Sequence, residues 1–147
     1  MYKRQVWSGT DIEFHGEFVD FDPLTCTPRP KQDKIPILVG GDTPAAIKRA
    51  AKLADGYYPG TGDFTELQKL ISEVHQAAEN HNRDPAEIEI NAHFSVFGGG
   101  DRIEGVEKMR EAGVGRIMVP GFIFGGPDGM ERLQEFGENV VSAFNTN

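Results

Sequence analysis

The sequence has one cysteine, Cys26, in 147 residues, so neither an internal disulfide framework nor a cysteine-rich metal site can form. That usage fits a reducing compartment, and the expectation is a cytoplasmic protein. Long apolar runs are also missing. The longest are a few residues, against the roughly 20 a membrane span requires, and no signal-peptide core stands near the N-terminus. No membrane partner is expected. Basic residues are scarce, 15 against 23 acidic for a net charge of -8, and a nucleic-acid partner needs a concentrated basic patch that such a chain lacks.

Several chemical signatures are absent too. There is no G-x-G-x-x-G and no G-x-x-x-x-G-K-[ST], which argues against the usual dinucleotide fold and the phosphate-binding P-loop. No G-x-S-x-G or Cys/His nucleophile appears, and no His/Asp/Glu cluster has metal-ligand spacing. Metal sites and covalent hydrolysis drop out, and no catalytic residue is assigned. The length also falls well short of the roughly 250 residues of a closed eight-stranded βα barrel.

What is present is a regular alternation. Ile35 to Val39 reads as a buried strand that turns on Gly40 and Gly41 into a helix opened by Asp42, Thr43 and Pro44. Such a corner is how parallel strands present planar or phosphorylated cofactors at their C-terminal ends. The pattern then continues: strand 35–39, helix 44–54, strand 56–59, helix 64–82, strand 88–97, helix 102–112, strand 115–120 and helix 129–144. Leu67, Leu70, Ile71, Val74 and Ala78 fall on one helical face, as do Leu133, Phe136, Val140 and Phe144. Asp42 or Thr43, and Asp63, are expected N-caps. Strands alternating with helices call for a parallel sheet with right-handed crossovers, in a barrel portion or an open doubly wound sheet.

Upstream, residues 12–34 are extended and aromatic-rich, with a turn at His15-Gly16, and Pro23, Pro28 and Pro30 forbid a helix. Residues 6–34 are read as a connecting segment and 35–147 as four βα units. Met1–Gln5 resembles a translated adapter scar, which would place a missing part of a longer gene upstream of Val6.

Pro28-Arg29-Pro30-Lys31-Gln32, Ile35-Pro36-Ile37-Leu38-Val39-Gly40-Gly41, the stretch Ala50 to Pro59, and Asn82-Arg83-Asp84-Pro85-Ala86-Glu87-Ile88 together resemble the luciferase-like oxidoreductase family, closest to its deazaflavin-dependent branch. Trp7, Phe14-His15-Gly16 and Phe18 resemble that family's connection into its fifth strand. The resemblance implies the α/β class and the C-terminal half of a (β/α)8 TIM barrel, strands five to eight. It implies coenzyme F420, or alternatively FMN, at the barrel mouth. The family's acid/base residues sit mainly on early strands and have no counterpart here.

Gly40 and Gly41 are assigned to the cofactor, because a side chain there would hold a planar ring away; the bland alternative is a tight turn. Gly60, Thr61 and Gly62 offer amides and a hydroxyl to a phosphate, or are a plain connection. The basic residue some family members use nearby is replaced by Asp63. Gly98-Gly99-Gly100 and Gly125-Gly126-Pro127 read equally as lids or loops, and Phe122, Ile123 and Phe124 as a pocket lining or a covered interface. His93 shares a strand face with Asn91, Ser95 and Phe97. If that face looks into a barrel His93 approaches the cofactor, if outward it is a satisfied structural histidine, and a lone histidine is insufficient for catalysis without a partner at hydrogen-bond distance. His75 and His81 are expected in solvent, and Lys48, Arg49 and Lys52 on the wet face of their helix.

The resulting expectation is a fragment of a flavin- or F420-dependent oxidoreductase moving hydride between cofactor and a small organic substrate, inactive in isolation and homo-oligomeric at full length. An FMN-dependent monooxygenase and a catalytically silent folding or interaction module are the alternatives.

Overall fold

The computed structural model describes residues 2–94 and 102–144. The chain divides into two compact units, Met1–Ile37 and Leu38–Asn147.

The first unit holds a helix, α1 (Tyr2–Ser8), and a two-stranded antiparallel sheet, β1 (Ile12–His15) with β2 (Asp20–Leu24). Antiparallel pairing was not foreseen in the extended segment. Phe14 pairs with Phe21, and their rings stack at 6.2 Å. Pro23 is accommodated because a two-stranded sheet has only outer strands, where a missing N–H costs no ladder bond. Across the turn the His15 ring and the Asp20 carboxylate stand 2.6 Å apart.

The second unit is a parallel sheet in the order β3 (Leu38–Gly40), β4 (Gly56–Tyr58), β5 (Glu89–His93) and β6 (Val114–Met118). Helix α2 (Pro44–Leu53), α3 (Phe64–Glu79) and α4 (Arg102–Glu111) are the crossovers. The strand expected at 35–39 begins at Leu38, since Pro36 has no N–H to give a ladder. The strand expected at 88–97 ends at His93; Ser95, Val96, Phe97 and Gly98 to Gly100 lie outside the described residues. Helix α3 stops at Glu79 rather than residue 82, because Asn82 turns to a φ of 55°.

The helix expected over 129–144 is interrupted. Helix α5 (Gly129–Phe136) passes into a π-type turn over Gly137–Val141 and then α6 (Ser142–Phe144). Gly137 is a weak helix former at the break. The wider turn shifts the helical phase, so of the expected apolar face only Phe136 and Val140 are buried, with Leu133 exposed.

The core lies between the sheet and one layer of helices. Ala50, Leu67, Leu70 and Val74 of the helices meet Tyr57, Ile88, Ile90 and Val114 of the sheet side. Aligned residues on parallel neighbours point to the same face. Tyr57 aligned with Ile90 therefore faces the helices. Gly40, Tyr58, Asn91, His93, Arg116 and Met118 take the opposite face, which these helices do not cover, although Asn91 on it is buried.

Candidate functional site at the strand ends

The C-terminal ends of β3 and β4 carry two corners that are bound to each other. Gly41 has a φ of 108°, which an L side chain rarely adopts. Its amide donates to the Tyr58 carbonyl at 3.2 Å, and its carbonyl accepts from the Tyr57 hydroxyl at 3.0 Å. Asp42 accepts from the Gly60 amide at 2.6 Å. Of the two side chains expected as caps of α2, Asp42 therefore joins the two corners instead. Thr43 is the cap, accepting from Ala46.

At the second corner, Thr61 accepts from the Asp63 amide at 3.1 Å, and Asp63 caps α3 by accepting from the Glu66 amide at 2.8 Å. The Asp63 carboxylate is thus spent on the helix. Of the three amides expected to be free for a phosphate, that of Gly60 is already donated to Asp42. Thr61 and Gly62 keep theirs unpaired among the described residues.

Gly40 is the bare spot of the first corner. A Cβ added there would find only the Tyr58 carbonyl, at 3.4 Å, an ordinary contact. Aligned with Tyr58, that Cβ would project from the uncovered face of the sheet. The backbone at Gly40 does not need glycine, so what the missing side chain preserves is open surface.

Next to it stands a pair the sequence did not connect. The Tyr58 hydroxyl lies 2.8 Å from Nδ1 and 2.7 Å from Nε2 of His93, with ring centroids 4.7 Å apart. Both side chains are half-buried. Burial raises the Tyr58 pKa above its ordinary value. Behind the sheet, Tyr57 is fully enclosed, and its pKa is pushed up to about 12 by burial, then by the Asp42 and Glu73 carboxylates. The signal for the Tyr58–His93 pair was the alternation itself: both residues fall at strand ends, on one face of adjacent strands.

Asn91 is the buried polar side chain of the described residues. Its Nδ2 donates to the Glu89 carbonyl at 3.1 Å, and its Oδ1 has no partner. The remaining expectations scatter. Phe122 is 83% exposed and Phe124 packs edge-on against Phe136 at 5.5 Å. Gly125-Gly126-Pro127 form an exposed loop. His81 is exposed, whereas His75 is half-buried on α3. No cluster of metal-binding side chains occurs among the described residues, and no helix among them is long and apolar enough to cross a membrane.

The family model of the luciferase-like monooxygenases matches residues 2–137. The chain belongs to the luciferase-like monooxygenase family. An uncharacterized protein of Mycobacterium tuberculosis is 38% identical over 149 residues, covering 95% of this chain and 49% of that protein. The F420-dependent glucose-6-phosphate dehydrogenase of Microbacterium testaceum is 27% identical over 109 residues, covering 73% of the chain and 32% of the enzyme. Among solved structures, the coenzyme F420-dependent tetrahydromethanopterin reductase of Methanopyrus kandleri superposes with a TM-score of 0.78 at 15% identity, over 97% of this chain and 60% of that one. That likeness establishes the fold: the four parallel strands and their helices are half of a luciferase-like (β/α)8 barrel. The chain spans about half the length of the first curated relatives it matches.

Proposed function

We propose that this chain is the cofactor-holding half of a flavin- or deazaflavin-dependent oxidoreductase, with coenzyme F420 as its cofactor and FMN as the second choice. The observation that carries this reading is the corner at Gly40 and Gly41, open on the bare face and tied in place by Tyr57, Tyr58 and the Asp42–Gly60 bond. A flat ring system needs an open, fixed main-chain surface, and this corner provides one. Gly40 and Gly41 would lie against the ring. The amides of Thr61 and Gly62, beside the start of α3, would take a phosphate, while Gly60 contributes closeness of approach rather than a donor. The F420-dependent dehydrogenase among its relatives supports the choice of cofactor.

When bound, the cofactor supplies the hydride chemistry. The protein fixes the ring, and the substrate is a small organic molecule. The acid/base residues that the family resemblance puts on early strands have no counterpart here. Isolated, the chain is expected to bind cofactor without turning it over. The family's monooxygenase description favours one further reading, an FMN enzyme that consumes oxygen.

Titration with F420 and with FMN, followed by absorbance and fluorescence, tests the reading. Wild-type protein is expected to bind F420, and Gly40→Ala to bind it at least about tenfold more weakly, the scale of losing one close packing contact. Because the added methyl meets no backbone clash, the melting midpoint of Gly40→Ala should stay unchanged. Failure of the wild-type chain to bind either cofactor would sink the proposal. Preference for FMN, with oxygen uptake once the complete barrel is supplied, would select the monooxygenase.

A further inference from the structure

A histidine handles protons effectively only beside a partner at hydrogen-bond distance, and Tyr58 is that partner for His93. We propose that Tyr58 and His93 form a proton-relay pair on the bare face of the sheet. In it Tyr58 hydrogen-bonds the carbonyl or alcohol oxygen of a small, largely apolar substrate, and His93 supplies the proton from behind. The pair takes its setting from the oxidoreductase reading, but its geometry is independent of any cofactor.

Three observations carry the pair. The first is contact: the hydroxyl is within 2.8 Å of both ring nitrogens. It lies between the two nitrogens, whose hydrogen-bonding directions diverge, so the imidazole turns to align one of them with the hydroxyl. The second is position. Tyr58 closes β4 and is aligned with Gly40, while His93 closes β5 and is aligned with Met118. Both sit at the strand ends where barrel enzymes place their chemistry. The third is surroundings. Leu38 and Met118, on the same face, are 41% and 46% exposed, an apolar flank for a carbon skeleton. The charged side chains the register puts on that face, Glu89 and Arg116, are paired with each other at 3.2 Å. An uncharged oxygen therefore suits the site better than a phosphate or carboxylate. Both residues are half-exposed, so a ligand can reach them. A phenol is protonated at neutral pH, and burial shifts Tyr58 further that way, so it has a hydrogen to give.

The step balances within the pair. With His93 as the imidazolium, the Tyr58 O–H breaks as an O–H forms on the ligand's alkoxide oxygen. The His93 N–H then breaks to restore the phenol, leaving a neutral imidazole. One proton moves from nitrogen to ligand oxygen, no oxidation state changes, and water reprotonates His93 at its exposed edge. In the reverse direction the same atoms remove a proton from an alcohol. Tyr58 touches the ligand; His93 acts through it.

Nitrogen-15 NMR of labelled histidine reads the contact directly. Tyr58→Phe keeps the ring packing and removes the hydroxyl. It is expected to move the His93 ring signals toward those of the exposed His81, with the melting midpoint marking the variant as folded. Cyclohexanone serves as the ligand probe. It should perturb the His93 signals of the wild-type chain and bind about fivefold more weakly to Tyr58→Phe, the loss of one hydrogen bond. His93→Ala should show a similar loss, and His93→Gln, which keeps an N–H toward Tyr58, should restore most of the affinity. Unchanged His93 signals in Tyr58→Phe, or no ketone binding by the wild-type chain, would overturn the pair. So would equal ketone affinity with and without the hydroxyl. Neither measurement involves F420 or FMN, so failure to bind cofactor defeats the oxidoreductase reading and leaves the pair standing.

Discussion

Arg83 shows how one side chain fastens the helical layer. Its guanidinium donates to the carbonyls of Ala50 and Ala51 near the end of α2, at 3.4 and 3.2 Å, and to the Glu87 carbonyl at 3.3 Å. Its Nε reaches the Glu87 carboxylate at 3.1 Å. The exposed carboxylate adds little by itself. The carbonyls matter more: that of Ala50 already accepts from the Ala54 amide, that of Ala51 stands among the end carbonyls a helix leaves to outside donors, and a charged donor makes the stronger bond. Arg83→Ala should lower unfolding free energy by about 2 kcal/mol in urea titration. Lysine should not restore it, because one ammonium cannot span the same acceptors. The neighbouring glycines behave oppositely to each other. Gly41→Ala places a side chain at a φ of 108° and should cost about 1–2 kcal/mol. Gly40→Ala should cost almost nothing in stability while weakening cofactor binding.

Among elements, the C-terminal helix departs furthest from its sequence pattern. Gly137 has helical backbone angles, and a Cβ there would meet nothing within 4 Å. Alanine at this position restricts the unfolded chain without straining the folded one. Gly137→Ala should therefore stabilise the protein by about 0.5–1 kcal/mol, read as a raised melting midpoint. A loss would mean that the π-type turn is required for packing Phe136 and Val140. Helix α3 lies at the other extreme. All five of its expected apolar residues are buried and its expected cap, Asp63, is the observed one, because a long period-3.6 stripe and a capping carboxylate are both local signals. The site was less legible. The glycine corners could be read from the chain, but the Asp42–Gly60 bond, the Tyr57 brace and the Tyr58–His93 pair join residues 16 to 35 positions apart. Strand pairing creates those neighbours: alternation puts Tyr58 and His93 on one face, but only the register of adjacent strands sets them side by side. The strand at 35–39 misplaced its start for a local reason that was visible, the proline at position 36. The antiparallel pairing of β1 with β2 needed its register to be known.

For the whole molecule, the buried Tyr57 links folding to alkaline pH. Its pKa rises from 10.0 to about 12 on folding. The folded state therefore holds this proton more firmly than the unfolded state. The associated stability is complete below pH 10 and is lost as pH rises through about 12, since stability falls with pH wherever the native state binds more protons. Two units correspond to at most about 2–3 kcal/mol. Denaturant midpoints should hold steady up to pH 10 and then decline. Tyr57→Phe, which cannot ionise, should show a flatter decline from a lower starting point, having lost the bond to Gly41. A parallel decline in both proteins would locate the alkaline sensitivity elsewhere.

The cross-tied corners at Gly41 and Gly60 also bear on selectivity. A rim already fastened before any guest arrives has little slack to reshape itself around a poor fit. Mismatched guests are then turned away by shape, and a matching one loses little by settling in. The amides of Gly41 and Gly60 should exchange with heavy water slowly even in the empty protein, and only slightly more slowly once a guest is in place.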